Sequence, residues 1–275
     1  MVALDIDGTL VDHEGRLPEN VRRSVRRVVD AGVPVVLTTG RSWHATRPVF
    51  EELDLPRGPA IASNGAVIVQ FPPMELQKVT TFNPAQIIER VLVEHPQAAL
   101  AAEVVGQGYR VTKAFPEGDL TGSIEVVSAE ELAGSDVTRI VVRDPESSDV
   151  EFIALAERLG LHGVSYSVGW SAWLDIAPAG GNKATALAEI TARHGLTAAE
   201  VLAIGDGRND IEMLTWAGLG VAIGDACAEV QACADHVTGT FAEGGAAEEL
   251  DRWFGMARID RLPRPALWER VQLAS

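Results

Sequence analysis

Residues 1–10 read MVALDIDGTL. Four mostly apolar residues run into Asp5, one residue separates Asp5 from Asp7, and Gly8 follows. The apolar run predicts a short buried strand over residues 1–5. Two carboxylates at its end pose an electrostatic problem. Burying one unpaired carboxylate is expensive, and two facing each other are worse. Along a strand, neighbouring side chains point to opposite faces. A spacing of two therefore keeps Asp5 and Asp7 on one side if the extended geometry continues. The rest of the chain has to supply what neutralises them.

Working outward, residues 19–31 read as a helix. Pro18 and Glu19 suit its start, Val21, Val25, Val28 and Val29 form one apolar stripe, and Gly32 is a natural stop. VPVVLTT at 33–39 is a second buried strand, and 43–53 a second helix. PAIASNGAVIV at 59–69 contains a third strand, broken by the turn signal Asn64-Gly65. Strands alternating with helices predict a parallel sheet with crossover helices.

The middle differs. Strand-like pieces at 98–105, 109–113, 138–143, 164–168 and 172–177 mix with helical stretches near 84–94 and 148–160, and SAEEL at 128–132 adds at most a short turn of helix. After APAGGN the first pattern returns, with helices at 183–194, 209–217, 226–234 and 244–254 and strands at 201–206 and 219–224. The fold class is therefore α/β: a doubly wound parallel-sheet core with an inserted α+β domain. The expected boundaries are 1–80 and 178–255 for the core, 81–177 for the insertion and 256–275 for a tail. The tail is open between wrapping over the core and staying disordered.

Composition narrows the partners. The chain has 275 residues, 39 acidic against 23 basic, for a formal net charge of -16. Such a surface repels nucleic acid and anionic membrane. A phosphate-bearing substrate would need a local positive site. Cys227 and Cys233 lie six apart on an expected helix, on different faces, and form no metal-binding pair; they read as structural thiols of a reducing compartment. No apolar run approaches the roughly 18 residues of a membrane span, and no leader pattern precedes the first strand. A cytoplasmic location is expected.

Ligand sites in open α/β sheets sit beyond the carboxyl ends of the strands. Asp5 and Asp7 follow strand one, and Thr38, Thr39, Gly40 and Arg41 follow strand two. Asn64 and Gly65 follow strand three, and Lys183 opens the helix after the insertion. Asp206, Asn209 and Asp210, in GDGRND, follow the next strand. A folded sheet gathers these at one edge. Clustered carboxylates coexist when a hard divalent cation lies among them, and magnesium commonly uses few carboxylates plus substrate phosphate. Lys183 adds positive charge, Thr39 a hydroxyl, and the backbone near Gly8 and Gly40 can approach an anion closely. One carboxylate aimed at phosphorus is a nucleophile, and a second, two residues on, is a general acid and then a base.

The set DIDGTL, TTGR, Lys183 and GDGRND resembles the haloacid dehalogenase (HAD) superfamily. More narrowly it is similar to the Cof-type, subclass IIB phosphatases, with a large C2-type cap between the second and third motifs. SNGA at 63–66 and GVAIGDA at 220–226 are similar to accessory signatures of that subfamily. The resemblance implies a Rossmann-like core and a magnesium-dependent phosphatase working through an aspartyl-phosphate on a small phosphorylated metabolite. It implies Asp5 as nucleophile and metal ligand, and Asp7 as general acid/base whose backbone carbonyl also ligates Mg2+. It implies that Thr39 binds the phosphoryl group and that Lys183 neutralises charge on the phosphoryl group and on Asp5. It likewise implies Asp206 as a metal ligand, Asp210 as supporting the metal directly or through water, and Asn209 as a hydrogen-bond partner near the phosphate. Gly40, Arg41 and Asn64 complete the candidate phosphate and substrate set. Asp225 departs from the asparagine usual there, and GGNK from the usual residues before the lysine.

Plainer readings stand beside these. Asn64 reads as a turn or hinge residue ahead of a substrate contact, Trp170 and Trp173 as packing residues ahead of a lid over substrate, and Arg41 equally as a structural ion-pair partner. The six histidines show no metal-ligand spacing. A phosphomutase would use the same aspartates, and a non-catalytic phosphometabolite sensor would keep the fold without turnover. A dehalogenase needs no acid at Asp7, and an ion-pumping ATPase needs membrane spans.

Overall fold

The computed structural model describes residues 1–159, 164–169 and 172–255. The expected tail at 256–275 and the reading of Trp170 lie outside these residues. In chain order the elements are β1 (Val2–Leu4), α1 (Glu19–Asp30), β2 (Val35–Thr38), α2 (Trp43–Glu52), β3 (Gly58–Ala62), β4 (Val67–Phe71) and β5 (Glu75–Val79). They continue with α3 (Ala85–Glu94), β6 (Ala99–Val104), β7 (Gly108–Val111), β8 (Ser123–Val126), α4 (Ala129–Ala133), β9 (Ile140–Arg143), α5 (Asp149–Leu159), β10 (Val164–Gly169) and β11 (Trp173–Pro178). The last are α6 (Lys183–Arg193), β12 (Leu202–Gly205), α7 (Ile211–Trp216), β13 (Leu219–Ala222), α8 (Ala228–Cys233), β14 (His236–Val237) and α9 (Gly245–Phe254). The chain divides into two compact units. One comprises Met1–Gly40, Arg47–Gln77 and the chain from Asn182; the other comprises Arg41–Thr46 and Lys78–Gly181.

The first unit holds a sheet in the order β14-β13-β12-β1-β2-β3-β4-β5. β1 pairs in parallel with β2 on one side and β12 on the other. The chain leaves β1 toward β2, and after the insertion resumes on the opposite side at β12. β1 is therefore the switch point where the strand order reverses, and a crevice is expected at its carboxyl end. Each strand there is short and buried on both faces, as crossover helices on both sides require. Val21, Ser24, Val25 and Val28 bury one stripe of α1, and Gly32 ends it at φ +72°. On the other side of the sheet, Ala3, Val36, Ile61 and Ala203 share a buried cluster with Leu187 and Ile190 of α6 and Met213 of α7.

The sheet is mixed rather than wholly parallel, because β3 and β4 are antiparallel. Ser63, Asn64 and Gly65 take φ +51°, +53° and +97°, and this left-handed turn folds the 59–69 stretch into a hairpin. β5 and β14 were not expected. Every residue of β5 is exposed, so no apolar run marks it, and β14 has two residues.

The second unit is α+β. Its sheet runs β10-β11-β9-β6-β7-β8, antiparallel apart from the β7–β8 pair. Leu100, Ile140, Val142, Leu174 and Ile176 pack one face against Ile88, Leu132 and Phe152 of the helices. The SAEEL segment forms α4, with Ser128 and Glu131 capping reciprocally. β8 was not expected and is exposed throughout. Among the described residues, no helix is long and apolar enough to cross a membrane.

Candidate active site

The site is built where β1 stops. The Asp5 N–H donates to the Ile204 carbonyl at 3.0 Å, so the ladder with β12 runs one residue past the strand and holds Asp5 at its tip. Asp5 is buried, at 5% exposure. The chain then turns: the N–H groups of Leu10 and Val11 both return to the Ile6 carbonyl, and Gly8 adopts φ +75°. Asp7 lies at the start of this turn and is exposed. A Cβ on Gly8 would collide with Asp206 Oδ2, so only glycine lets the turn come this close to the carboxylate. Thr9 Oγ1 donates to Asp206 Oδ1 at 2.8 Å and fixes that side chain.

Lys183 is delivered by α6. Asn182 caps the helix, its Oδ1 accepting the Thr185 N–H at 2.8 Å, which places Lys183 in the first turn. A cation at this end opposes the helix dipole. Two carboxylates offset that: Nζ lies 2.5 Å from Asp5 Oδ1 and 2.6 Å from Asp210 Oδ1. The second oxygen of Asp210 accepts the N–H groups of Asp206 at 3.1 Å and Gly207 at 2.9 Å. Asp210 therefore ties the lysine to the loop that carries Asp206.

Thr38 and Thr39 separate as strand alternation requires. Thr38 Oγ1 donates to Met213 Sδ at 3.0 Å, inside the packed side of the sheet. Thr39 is also buried; its N–H donates to Ile61 and its carbonyl accepts the Asn64 N–H, both at 3.0 Å. Asn209 Nδ2 donates to Asn64 Oδ1 at 2.9 Å beside Gly40. Arg41 falls in the second unit, where Nη1 donates to Ala45 O at 3.5 Å. Asp225 is exposed and its Oδ2 accepts the Phe241 N–H at 2.6 Å, so the departure from the usual asparagine is absorbed by a loop contact.

Charge at the site is unbalanced. Burial pushes the Asp5 carboxyl well above its usual range, and repulsion from Asp210, Asp206 and Asp7 adds to this while Lys183 opposes it. Burial, followed by Asp210, pushes Asp206 up to about 6. Burial disfavours the Lys183 cation, but Asp210 and Asp5 outweigh it and raise its pKa. One lysine thus faces more carboxylate than it neutralises. Asp5, Asp206 and Asp210 each offer an oxygen, and these oxygens lie within 4.8 Å of one another. Hard anionic oxygens that repel one another when ionised fit a hard divalent cation. The Asp7 carboxylate is not part of this triad.

Thr9 is a contact of the candidate site that the sequence motifs do not single out. Its signal was present, a hydroxyl two residues past Asp7, but its partner Asp206 lies 197 residues away. Cys227 and Cys233 are free thiols, as expected.

The haloacid dehalogenase-like hydrolase family matches residues 2–250. A 5-amino-6-(5-phospho-D-ribitylamino)uracil phosphatase of Bacillus subtilis is 31% identical, covering 92% of this chain and 95% of that protein. A phosphoglycolate phosphatase of Aeropyrum pernix is also 31% identical, covering 94% of this chain and 95% of that protein. Among solved structures, a phosphatase of the haloalkanoate enzyme superfamily from Bacteroides thetaiotaomicron superposes with a TM-score of 0.74 at 28% identity, covering 92% of this chain and 94% of that one. Sheet order, switch-point aspartates and these likenesses agree: the chain belongs to the haloacid dehalogenase-like hydrolase family.

Proposed function

We propose that the protein is a magnesium-dependent phosphatase that hydrolyses a small phosphorylated metabolite. The observation that carries this reading is the buried contact of Lys183 with Asp5 and Asp210 beside Asp206, at the tip of the switch-point strand. Asp5, Asp206 and Asp210, with the Asp7 carbonyl, would hold the metal, Asp210 directly or through water. When bound there, the cation would offset carboxylate repulsion and draw charge from the phosphoryl oxygens.

The chain's own groups do the chemistry. Lys183 holds Asp5 in place and neutralises charge that builds on the phosphoryl group. A carboxylate oxygen of Asp5 attacks phosphorus as the ester P–O bond breaks, forming an aspartyl-phosphate. Asp7, exposed at the start of the turn, gives its proton to the departing alkoxide. Asp7 then takes a proton from water as the water oxygen attacks phosphorus, releasing phosphate and regenerating Asp5. Thr39, Gly40 and Asn209 hold the phosphoryl oxygens.

The inserted unit acts as a cap that selects the leaving group, with Arg41 as a candidate contact. The relatives differ widely here: one is named for a ribitylaminouracil phosphate and another for phosphoglycolate. The substrate is therefore assigned only as a small phosphomonoester. The test is phosphate release over a panel of phosphorylated metabolites, with and without Mg2+. The wild type is expected to release phosphate only with the metal, and Asp5→Asn to release none. Equal turnover by Asp5→Asn, with contamination excluded, would overturn the assignment.

A further inference from the structure

We propose that Asn64 is a positioning residue of the phosphate site, acting through Asn209; the inference deepens the phosphatase reading and rests on it. Ser63, Asn64 and Gly65 are three consecutive residues with left-handed φ, at +51°, +53° and +97°. Glycine enters this region freely, asparagine tolerates it and serine seldom adopts it. Such a run persists only where its surroundings dictate it, and it concentrates at functional sites.

Three separate loops converge on it. The Asn64 N–H donates to the Thr39 carbonyl at 3.0 Å, tying the turn to the segment after β2. Asn64 Oδ1 accepts Asn209 Nδ2 at 2.9 Å, tying it to the segment after β12. Gly65 lies so close to the Asn182 carbonyl that a Cβ would collide with it, which ties the turn to the cap of the lysine-bearing helix. One tripeptide therefore sets the spacing of the loops that carry Thr39, Asn209 and Lys183.

The side chain of Asn64 has a narrower task. A Cβ on Gly207 would collide with Asn209 Oδ1, so that oxygen faces its own loop. Asn209 Nδ2 faces the other way, 3.4 Å from where a Gly40 Cβ would stand, and Asn64 Oδ1 is 3.1 Å from the same point. An amide nitrogen carries two N–H groups in one plane. With one held by Asn64, the direction of the second is fixed, and it meets a phosphoryl oxygen. Without Asn64 the Asn209 amide can rotate, and that donor is no longer aimed beforehand.

Asn64→Gly separates side chain from backbone, because glycine keeps the left-handed turn at no steric cost. It is expected to melt within a few degrees of wild type. Its kcat/KM should fall by about tenfold, the scale of one lost hydrogen bond to a charged group. Inhibition by inorganic phosphate should weaken in parallel. Asn209→Ala should show the same two losses. The double variant should be no worse than either single, since one residue acts through the other. Wild-type kcat/KM and phosphate inhibition in Asn64→Gly would overturn the inference, as would losses that multiply in the double variant. Asn209→Ala with undiminished phosphate inhibition overturns it whatever the fold of Asn64→Gly. If the wild type released no phosphate from the panel in Mg2+, the phosphatase reading and this inference would fall together; an active wild type with an unaffected Asn64→Gly sinks this one alone.

Discussion

Lys183 Nζ lies 2.6 Å from Asp210 Oδ1, and neither side chain has any solvent exposure. Removing one member of a buried pair leaves the other's charge uncompensated, typically at about 3 kcal/mol or more. In Lys183→Met two carboxylates lose their shared cation. The variant is expected to lose about 3 kcal/mol in urea unfolding. The loss should be larger at pH 8 than at pH 5, because burial already favours the protonated form of Asp5 and lower pH favours it further. Phosphate release should fall by about a hundredfold or more, as when a charge-stabilising donor is removed. Unchanged unfolding midpoints at both pH values would show that the pair is not structural.

The acidic site predicts how the metal-free protein responds to pH. Asp206 titrates at about 6 in the fold against an ordinary value of 3.8. Between those values the native protein holds a proton that the unfolded chain has released, so stability falls as pH rises across the window. One pKa unit corresponds to about 1.4 kcal/mol, which bounds the effect at about 3 kcal/mol. The difference in melting temperature between wild type and Asp206→Asn in EDTA should therefore move against wild type from pH 4.5 to 6.5. Saturating Mg2+ should restore wild type above pH 6 and leave Asp206→Asn unmoved. A difference constant with pH would refute the assignment of this carboxylate.

Gly8 has no room for a side chain. A Cβ there would collide with Asp206 Oδ2, and φ +75° penalises alanine independently. Gly8→Ala should push Asp206 away from Asp5 more than it unfolds the protein. The Mg2+ concentration for half-maximal phosphate release is expected to rise about tenfold, equivalent to about 1.4 kcal/mol of metal affinity. A metal titration of activity measures it directly, and an unshifted midpoint would show that the turn does not set Asp206.

Much of this was readable along the chain, for local reasons. β1, β2 and β12 are buried on both faces and so appear as apolar runs, and the candidate site residues Asp5, Thr39 and Asp206 stand immediately after them. The helix stripe of α1 and the stop at Gly32 are likewise local. What escaped has different causes. β5 and β8 are short, wholly exposed edge strands with no buried apolar run to mark them, held by neighbours rather than by their own pattern. The bond from Thr9 to Asp206 and that from Asn209 to Asn64 span 197 and 145 residues, and no spacing rule reaches that far. Arg41 stands beside Gly40 in the chain, yet it falls in the other unit.

The second unit carries its own buried ion pair, and its energetics can be separated from catalysis. Arg139 donates through Nε to Asp175 Oδ1 at 3.0 Å and through Nη2 to Oδ2 at 2.5 Å, while Nη1 reaches Tyr109 Oη at 3.3 Å. The two charged side chains are 5% and 6% exposed. Burial pushes the Asp175 carboxyl up, and Arg139 pulls it back only in part. The pair therefore offsets a desolvation penalty rather than adding much stability. Asp175→Asn leaves a buried guanidinium with a weaker partner, and Arg139→Met leaves a buried carboxylate with none from this side chain. Each single variant is expected to lose about 3 kcal/mol in urea unfolding, whereas Arg139→Met with Asp175→Leu should recover most of that loss. Additive losses in the double variant would instead mean that the bidentate pair is itself a net source of stability.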